Sequence, residues 1–328
     1  MANLETTYLG LKLKNPIVAA SSGLTNSVDK IKELADNGVG AIVLKSIFEE
    51  QINNEISNIL YNQHYTSYPE AEDYIKVYTR DNTLQHYLQL VKDAKAAVDV
   101  PIIASINCVS ATEWVTFAKD LVEAGADALE LNVFVVPTEA NEKSDELEMT
   151  YINVLNEVKK HVNVPVAIKI GFYFTNIVAM ADKLYANGAN GVVMFNRFYE
   201  PDIDVENLEI TSSEVFSSPT DIRRSLRWTG MISSAVPNID IAASTGIHDG
   251  NGVLKQLLAG AQVVQLCSTL YKNGAPVVKE ILTDLENFMG KWDYTSLADF
   301  RGKLSYGRIK NPAMYERAQF MKYFSNKK

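Results

Sequence analysis

Hydrophobic residues along this chain fall into one recurring block, an amphipathic stretch followed by a glycine turn and a short apolar run. Four segments carry the turn and the run together: Asn37-Gly38-Val39-Gly40-Ala41-Ile42-Val43-Leu44, Ala124-Gly125-Ala126-Asp127-Ala128-Leu129-Glu130-Leu131, Asn187-Gly188-Ala189-Asn190-Gly191-Val192-Val193-Met194 and Ala259-Gly260-Ala261-Gln262-Val263-Val264-Gln265-Leu266. The stretches before them, such as residues 28–35 and 114–122, have the spacing of helices with one apolar face, so each Gly reads as a helix C-cap ahead of a strand. Four further apolar runs lie between the repeats, at residues 17–20, 102–105, 166–170 and 239–243. Two of these follow a proline, at Val100-Pro101 and Val164-Pro165, which ends the helix and opens the strand.

Eight short strands alternating with helices predict an α/β chain closed into a parallel (β/α)8 TIM barrel, with residues 1–328 forming one domain. The alternative, an open doubly wound sheet, lacks its GxGxxG turn after the first strand. Three segments fall outside the repeat. Residues 6–14, two short alternating runs around Gly10, predict an N-terminal hairpin that closes the bottom of the barrel. Residues 47–81 and 197–218 follow strands two and six, and predict long loops that roof the catalytic face.

Chemistry in such a barrel sits at the carboxyl ends of the strands. In strand order these ends read Ala20-Ser21-Ser22-Gly23, Lys45-Ser46, Ser105-Ile106-Asn107, Asn132, Lys169, Asn196, Ser244-Thr245-Gly246 and Cys267-Ser268. All eight carry a polar group. The last two, with His248-Asp249-Gly250 and Thr269 beside them, offer backbone N–H groups at a glycine turn and at a helix start, the arrangement that binds phosphate in this fold. The same Ser, Thr and Gly residues also serve as plain helix caps.

Composition narrows the partners. A net charge of −9 and the absence of any Lys/Arg-rich run argue against nucleic acid, leaving a small-molecule substrate. Cys108 and Cys267 are far apart with no CxxC or Cys/His spacing, so no metal or iron-sulfur site is expected. Met1-Ala2-Asn3-Leu4 leads straight toward strand sequence, with no signal-like or membrane-spanning run, and the expectation is a cytoplasmic protein without a membrane anchor.

Asn15-Pro16 with Ala20-Ser21, then Lys45-Ser46, Glu130-Leu131-Asn132, Ile168-Lys169, Asn196, Thr245-Gly246-Ile247 and the closing strand at 263–266 resemble the FMN-binding barrel of the dihydroorotate dehydrogenases and the related dihydropyrimidine dehydrogenase domain. The likeness runs over residues 5–305. It implies FMN as cofactor. Lys169 would hold the N1/C2-carbonyl edge of the flavin, and Lys45 would lie near the flavin and a substrate carboxylate. Asn107 and Asn132 would contact flavin or substrate amides, Asn196 would face the substrate, and Ala20, Ser21 and Ser46 would border the cofactor. Ser244, Thr245, Gly246, Cys267 and Ser268, with Gly230, would take the phosphate. Lys45, Asn132 and Asn196 are the catalytic candidates. Each lysine taken alone is as readily half of a buried ion pair as a ligand contact. Met194 and Trp228 read as packing.

Two departures stand out. The family's catalytic base follows the strand-four Asn as Asn-x-Ser-Cys-Pro or Asn-x-Ser-x-Pro; here the run is Asn132-Val133-Phe134-Val135-Val136-Pro137, one residue longer, with valine where Cys or Ser is expected. The usual base is therefore expected to be absent. Thr138, Glu139, Cys108, Tyr173 and Tyr199 are the nearby groups that could replace it. The Asn-rich substrate loop after strand two is replaced by a Tyr- and Glu-rich segment spanning Tyr65-Thr66-Ser67-Tyr68 to Tyr78-Thr79-Arg80, with Tyr78 and Arg80 its polar contacts.

Three functions fit. The first is an FMN-dependent oxidoreductase of pyrimidine metabolism moving hydride between a dihydropyrimidine-like substrate, dihydroorotate or orotate foremost, and flavin N5. The second is an FMN-binding barrel that has lost the reaction. The third is a phosphosugar isomerase or aldolase using Lys169 as a Schiff-base lysine. The resemblance further implies a homodimer, with fumarate or a separate electron-transfer subunit carrying FAD and an iron-sulfur centre as the acceptor.

Overall fold

The structure is a computed structural model that describes residues 2–62, 69–108, 111–197 and 200–316. The chain enters through an antiparallel hairpin, β1 (Thr6–Tyr8) and β2 (Leu11–Leu13), turned at Leu9 and Gly10, both at positive φ. There follow β3 (Ile17–Ala19), α1 (Val28–Asp36), β4 (Ala41–Val43), the short β5 (Ile47–Phe48), α2 (Glu49–Asn62), α3 (Pro69–Ala97), β6 (Ile102–Asn107) and α4 (Ala111–Glu123). The second half holds β7 (Ala128–Asn132), α5 (Ser144–Lys159), β8 (Val166–Ile170), α6 (Ile177–Ala186), β9 (Gly191–Met194), β10 (Pro201–Asp204) and β11 (Glu209–Ser212). It ends with α7 (Ile222–Ala235), β12 (Asp240–Ser244), α8 (Gly250–Ala259), β13 (Val263–Leu266), α9 (Ser268–Asn273) and α10 (Val277–Lys291).

Strands β3, β4, β6, β7, β8, β9, β12 and β13 pair in parallel in that order, and β13 returns to β3, closing the predicted eight-stranded barrel. The glycine-turn repeat has a structural reason. Gly38, Gly125, Gly188 and Gly260 all sit at positive φ, which lets each helix end turn at once into a strand. Two residues beyond three of these glycines a side-chain oxygen takes the first free N–H of the preceding strand. Asp127 accepts from Ile102 N–H (2.7 Å), Asn190 from Val166 N–H (3.0 Å) and Gln262 from Ile241 N–H (2.7 Å). At the first turn Asn15 does the equivalent work, accepting from Ile17 N–H (3.0 Å) and donating to Gly38 O (2.6 Å). A Cβ on Gly40 would lie 2.2 Å from Asn15 O, so this close approach requires glycine there.

Side chains alternate inward and outward along every strand. The inward layer at the amino-terminal end is apolar: Val18, Ala41, Val43, Ile103, Ala128, Ala167, Val193, Ala242 and Val263. Tyr8, Leu9 and Leu13 of the hairpin join this cluster, which makes the hairpin the plug expected from the sequence. Two bonds fix its entry angle, Leu9 N–H to Asp240 Oδ2 (2.7 Å) and Thr6 Oγ1 to Gln262 O (3.2 Å).

The two predicted roof segments differ from plain loops. Among its described residues the 47–81 segment is largely helical, α2 and the start of α3; Ile52 and Ile56 on α2, and Leu84, Leu88 and Val91 further along α3, recur at helical spacing and are buried against the barrel. Residues 197–218 contain the β10–β11 ribbon, whose paired Ile203 and Ile210 are exposed. Tyr65, Thr66, Ser67, Tyr68 and Tyr199 lie outside the described residues. No described helix is long and apolar enough to cross a membrane.

The plug yields a contrast of two variants. Leu13→Ala should cost about 2–5 kcal/mol in urea unfolding, since a buried leucine leaves a cavity. Tyr8→Phe should cost nothing or stabilise, because the Tyr8 hydroxyl is buried without a hydrogen-bond partner.

Candidate active site

Above the apolar layer the inward positions become polar. Ser105, Glu130, Lys169 and Gln265 are each buried on β6, β7, β8 and β13. Glu130 Oε2 accepts from Gln265 Nε2 at 2.6 Å, and Glu130 Oε1 lies 3.5 Å from Lys169 Nζ, an ion pair at the outer limit of a hydrogen bond. A second chain of hydroxyls runs beside it: Ser21 Oγ and Ser46 Oγ are 3.0 Å apart, and Ser46 Oγ and Ser105 Oγ 2.7 Å apart. Tyr87 of α3 donates its hydroxyl to Ser105 O (3.3 Å), and burial pushes that phenol up.

Over this floor opens a cavity of about 570 Å³ at the carboxyl ends of the strands. Ala20 and Ser21 line it from the end of β3, Lys169 from β8 and Asn196 from beyond β9. Ser244, Thr245 and Gly246 line it after β12, and Cys267 and Ser268 after β13. Thr245 and Gly246 are consecutive residues at positive φ (72° and 79°), and a Cβ on Gly246 would come 2.1 Å from Ile222 N at the start of α7. A glycine turn at the head of the barrel leaves backbone N–H groups free to face the cavity. An oxygen is already held there: Gly246 N–H donates to Ser217 Oγ (3.3 Å), while Ser217 N–H donates to Ser268 Oγ (3.0 Å).

Ser217 ends a strap that closes one side of the cavity. Arg197 ties it down, donating to Val215 O (3.1 Å) and Glu214 O (2.5 Å) and pairing with Asp221 (3.1 Å). Lys272 Nζ donates to Ser217 O (3.0 Å), and His248 Nε2 lies 3.1 Å from Ser217 Oγ. Burial first, then Lys272, push His248 below its ordinary value.

Other expected site residues are placed differently. Asn132 is held by Asn196, whose Nδ2 donates to Asn132 Oδ1 at 2.8 Å. Ser46 reaches the cavity only through Ser21, and with Lys45 it lines a separate cavity of about 560 Å³ against α2 and α3, beside His86 and Tyr87. Lys45 and Lys169, paired in the sequence reading, thus border two different spaces. Asn107 ends β6 beside Phe48 of β5 and lines neither space. Gly230 is away from the phosphate turn, in the middle of α7, where a Cβ would meet the Tyr315 ring at 2.4 Å. Its smallness serves packing.

Of the groups considered as a replacement base, none among the described residues lines the main cavity. Cys108 is buried, and burial with Glu49 and Glu113 nearby pushes its thiol far up. Thr138 and Glu139 donate their N–H groups to Glu142 on an exposed loop, and Tyr173 is exposed. Arg80 is committed to α4, 2.6 Å from Glu113 and over the Phe117 ring, and Tyr78 is exposed. Sequence reasoning missed Gln265, Arg197 and Ser217 as parts of the site. Gln265 had a signal, a polar residue inside an otherwise apolar buried strand; Ser217 had none, since only the folded strap brings it to Gly246.

The dihydroorotate dehydrogenase family model matches residues 72–289, about two thirds of the chain. The chain belongs to the dihydroorotate dehydrogenase family. Among its relatives, the dihydroorotate dehydrogenase B (NAD(+)) catalytic subunit of Thermoplasma volcanium is 26% identical over 317 residues, 92% of this chain and 98% of that one. Dihydroorotate dehydrogenase A (fumarate) of Lactococcus lactis subsp. cremoris is also 26% identical, over 325 residues, 92% of this chain and 99% of that one. The catalytic subunit from Methanocaldococcus jannaschii is 24% identical over 306 residues, 89% and 95%. In this dihydroorotate dehydrogenase family member the matched region runs from α3 through α10 and so contains the polar floor and the phosphate-type turn.

The strap carries a pH signature. A histidine whose folded value is depressed contributes stability that is complete above its unfolded value, about 6.5, and is lost as pH falls through the folded one. In urea melts the stability difference between wild type and His248→Gln should therefore narrow as pH drops below about 6.5. A difference that is constant across that range would contradict it.

Proposed function

We propose that this chain binds FMN in the 570 Å³ cavity and is an oxidoreductase acting on the CH–CH bond of a dihydropyrimidine-like substrate, with dihydroorotate and orotate the leading pair. The observation that carries the reading is that a buried lysine on the cavity floor and the glycine turn after β12 line one and the same cavity, in a chain of this family. The residues fit the cofactor: the Gly246 N–H faces a point that already holds a hydroxyl oxygen, Ser217 Oγ, and a Cβ at position 246 would collide with α7. Ser244, Cys267 and Ser268 would complete the phosphate contacts, and Ala20 and Ser21 would border the ring and ribityl chain.

Bound FMN would supply the two-electron acceptor at N5 for hydride from a substrate carbon. Lys169 would present a fixed positive charge to the edge that becomes negative on reduction. Asn196, oriented by Asn132, would hold substrate polar groups over the ring. Ser217 and Arg197 hold the strap that lines one side of this space. Lys45, on the separate cavity against α2 and α3, is given no contact to the substrate in this reading.

The usual catalytic base is absent in this reading. Val135 turns into an outer hollow with Tyr151 and Phe174, Val136 is exposed, and a valine accepts no proton. Those valines also support the second reading, an FMN-binding barrel that has lost the reaction. The aldolase reading is disfavoured, since Lys169 is engaged by Glu130 rather than left as a free amine. A homodimer and a separate electron-transfer subunit follow from the family likeness; one relative is named for NAD(+) and another for fumarate, at equal identity, so the acceptor is not chosen by similarity.

Anaerobic mixing with a panel of dihydropyrimidines tests the reaction through flavin absorbance. At least one member should bleach the flavin, and dihydroorotate should do so slowly, because general-base help of about 10²- to 10⁴-fold is missing. Bleaching by dihydroorotate within the mixing time would show that a base acts from elsewhere. Failure of every member would favour the binding module.

A further inference from the structure

Glu130 has no place in the contacts assigned so far, yet it sits under them. It is a carboxylate inside the barrel, 1% exposed, between the apolar plug and the cavity. A carboxylate only accepts hydrogen bonds, so the 2.6 Å contact fixes the Gln265 amide with its nitrogen toward Glu130. Gln265 in turn holds the carboxylate at a distance: its second oxygen stops 3.5 Å from Lys169 Nζ and has no closer partner. The charge is felt throughout the layer, since both Tyr8 below and Tyr87 beside it are pushed up by burial and, in addition, by Glu130.

Resting on the FMN reading, we propose that Glu130 is a positioning residue for Lys169, and that with Gln265 it sets how much of the lysine's positive charge reaches the cofactor. The alternative use of such a pair is simple neutralisation of a buried lysine. Two observations favour tuning. The ion pair is stretched to 3.5 Å, the outer limit of a hydrogen bond, although both groups are buried, and Gln265, which holds the other carboxylate oxygen at 2.6 Å, itself lines the cavity. A flavin that takes two electrons and one proton gains one negative charge. A lysine at that edge stabilises the reduced form, and a carboxylate behind the lysine offsets part of that effect.

The test is the midpoint potential of the bound flavin in a double-mutant cycle. Glu130→Gln keeps the side-chain shape and removes the charge, and should shift the potential positive. Lys169→Met should shift it negative, and Glu130→Gln should then shift it by much less than in the wild-type background, because only the carboxylate's direct field remains once there is no lysine to position. Glu130→Asp, which keeps the charge, should return most of the way to wild type. If Glu130→Gln does not fold, Gln265→Met serves: both charges remain, the released carboxylate closes on Lys169, and the potential should fall. A flavin-loaded protein whose potential ignores these changes, or shifts equally with and without Lys169, overturns the role of Glu130 alone. A protein that holds no flavin overturns the cofactor reading, and this role with it.

Discussion

A carboxylate buried inside a closed barrel is costly to charge, so the groups around Glu130 and Lys169 must be arranged to hold it. Below, the hairpin residues Tyr8, Leu9 and Leu13 fill the strand interior with hydrocarbon and seal it. To the side, Gln265 engages one carboxylate oxygen, and the Ser21, Ser46 and Ser105 hydroxyls satisfy one another. Above, the lysine meets the cavity. The pair is thus the boundary between core and site. Breaking one member of such a pair costs about 3–5 kcal/mol where the other is left charged.

The fold was legible because its signals are local. The Gly turns at 38, 125, 188 and 260 need positive φ, and at the last three the Asp, Asn or Gln two residues later supplies the bond that docks the strand on its neighbour. These constraints act over a few residues and repeat. The roof was less legible because excess length after a strand says nothing about what fills it. The apolar spacing of Ile52 and Ile56, and of Leu84 and Leu88, carries the helices, and the ribbon after β9 carries exposed isoleucines that no core pattern explains.

The site was legible where backbone geometry makes it. Thr245 and Gly246, Cys267 and Ser268, Ser21, Lys169 and Asn196 meet around one cavity, as strand ends in a barrel must. What depends on long-range packing was not. Lys45 borders another space because α2 and α3 open a cavity beside it, and Gly230 is small for the sake of Tyr315 rather than a phosphate. Ser217 reaches the turn only because Arg197 and Lys272 hold its strap. A lysine at a strand end reads equally as a ligand contact or as half of an ion pair, and Lys169 is placed to be both.

The proposed cofactor site and the proposed chemistry above it rest on different residues: Lys169, Thr245 and Gly246 line the cavity, while Val135 and Val136 are not among its lining residues. The central claim is that the cavity is built for a flavin carrying a phosphate. Titration of the cofactor-stripped protein with FMN and with riboflavin, followed by flavin fluorescence, tests it most directly. Stoichiometric binding of FMN with markedly weaker binding of riboflavin is the predicted result; equal binding of the two, or binding of neither, would contradict it.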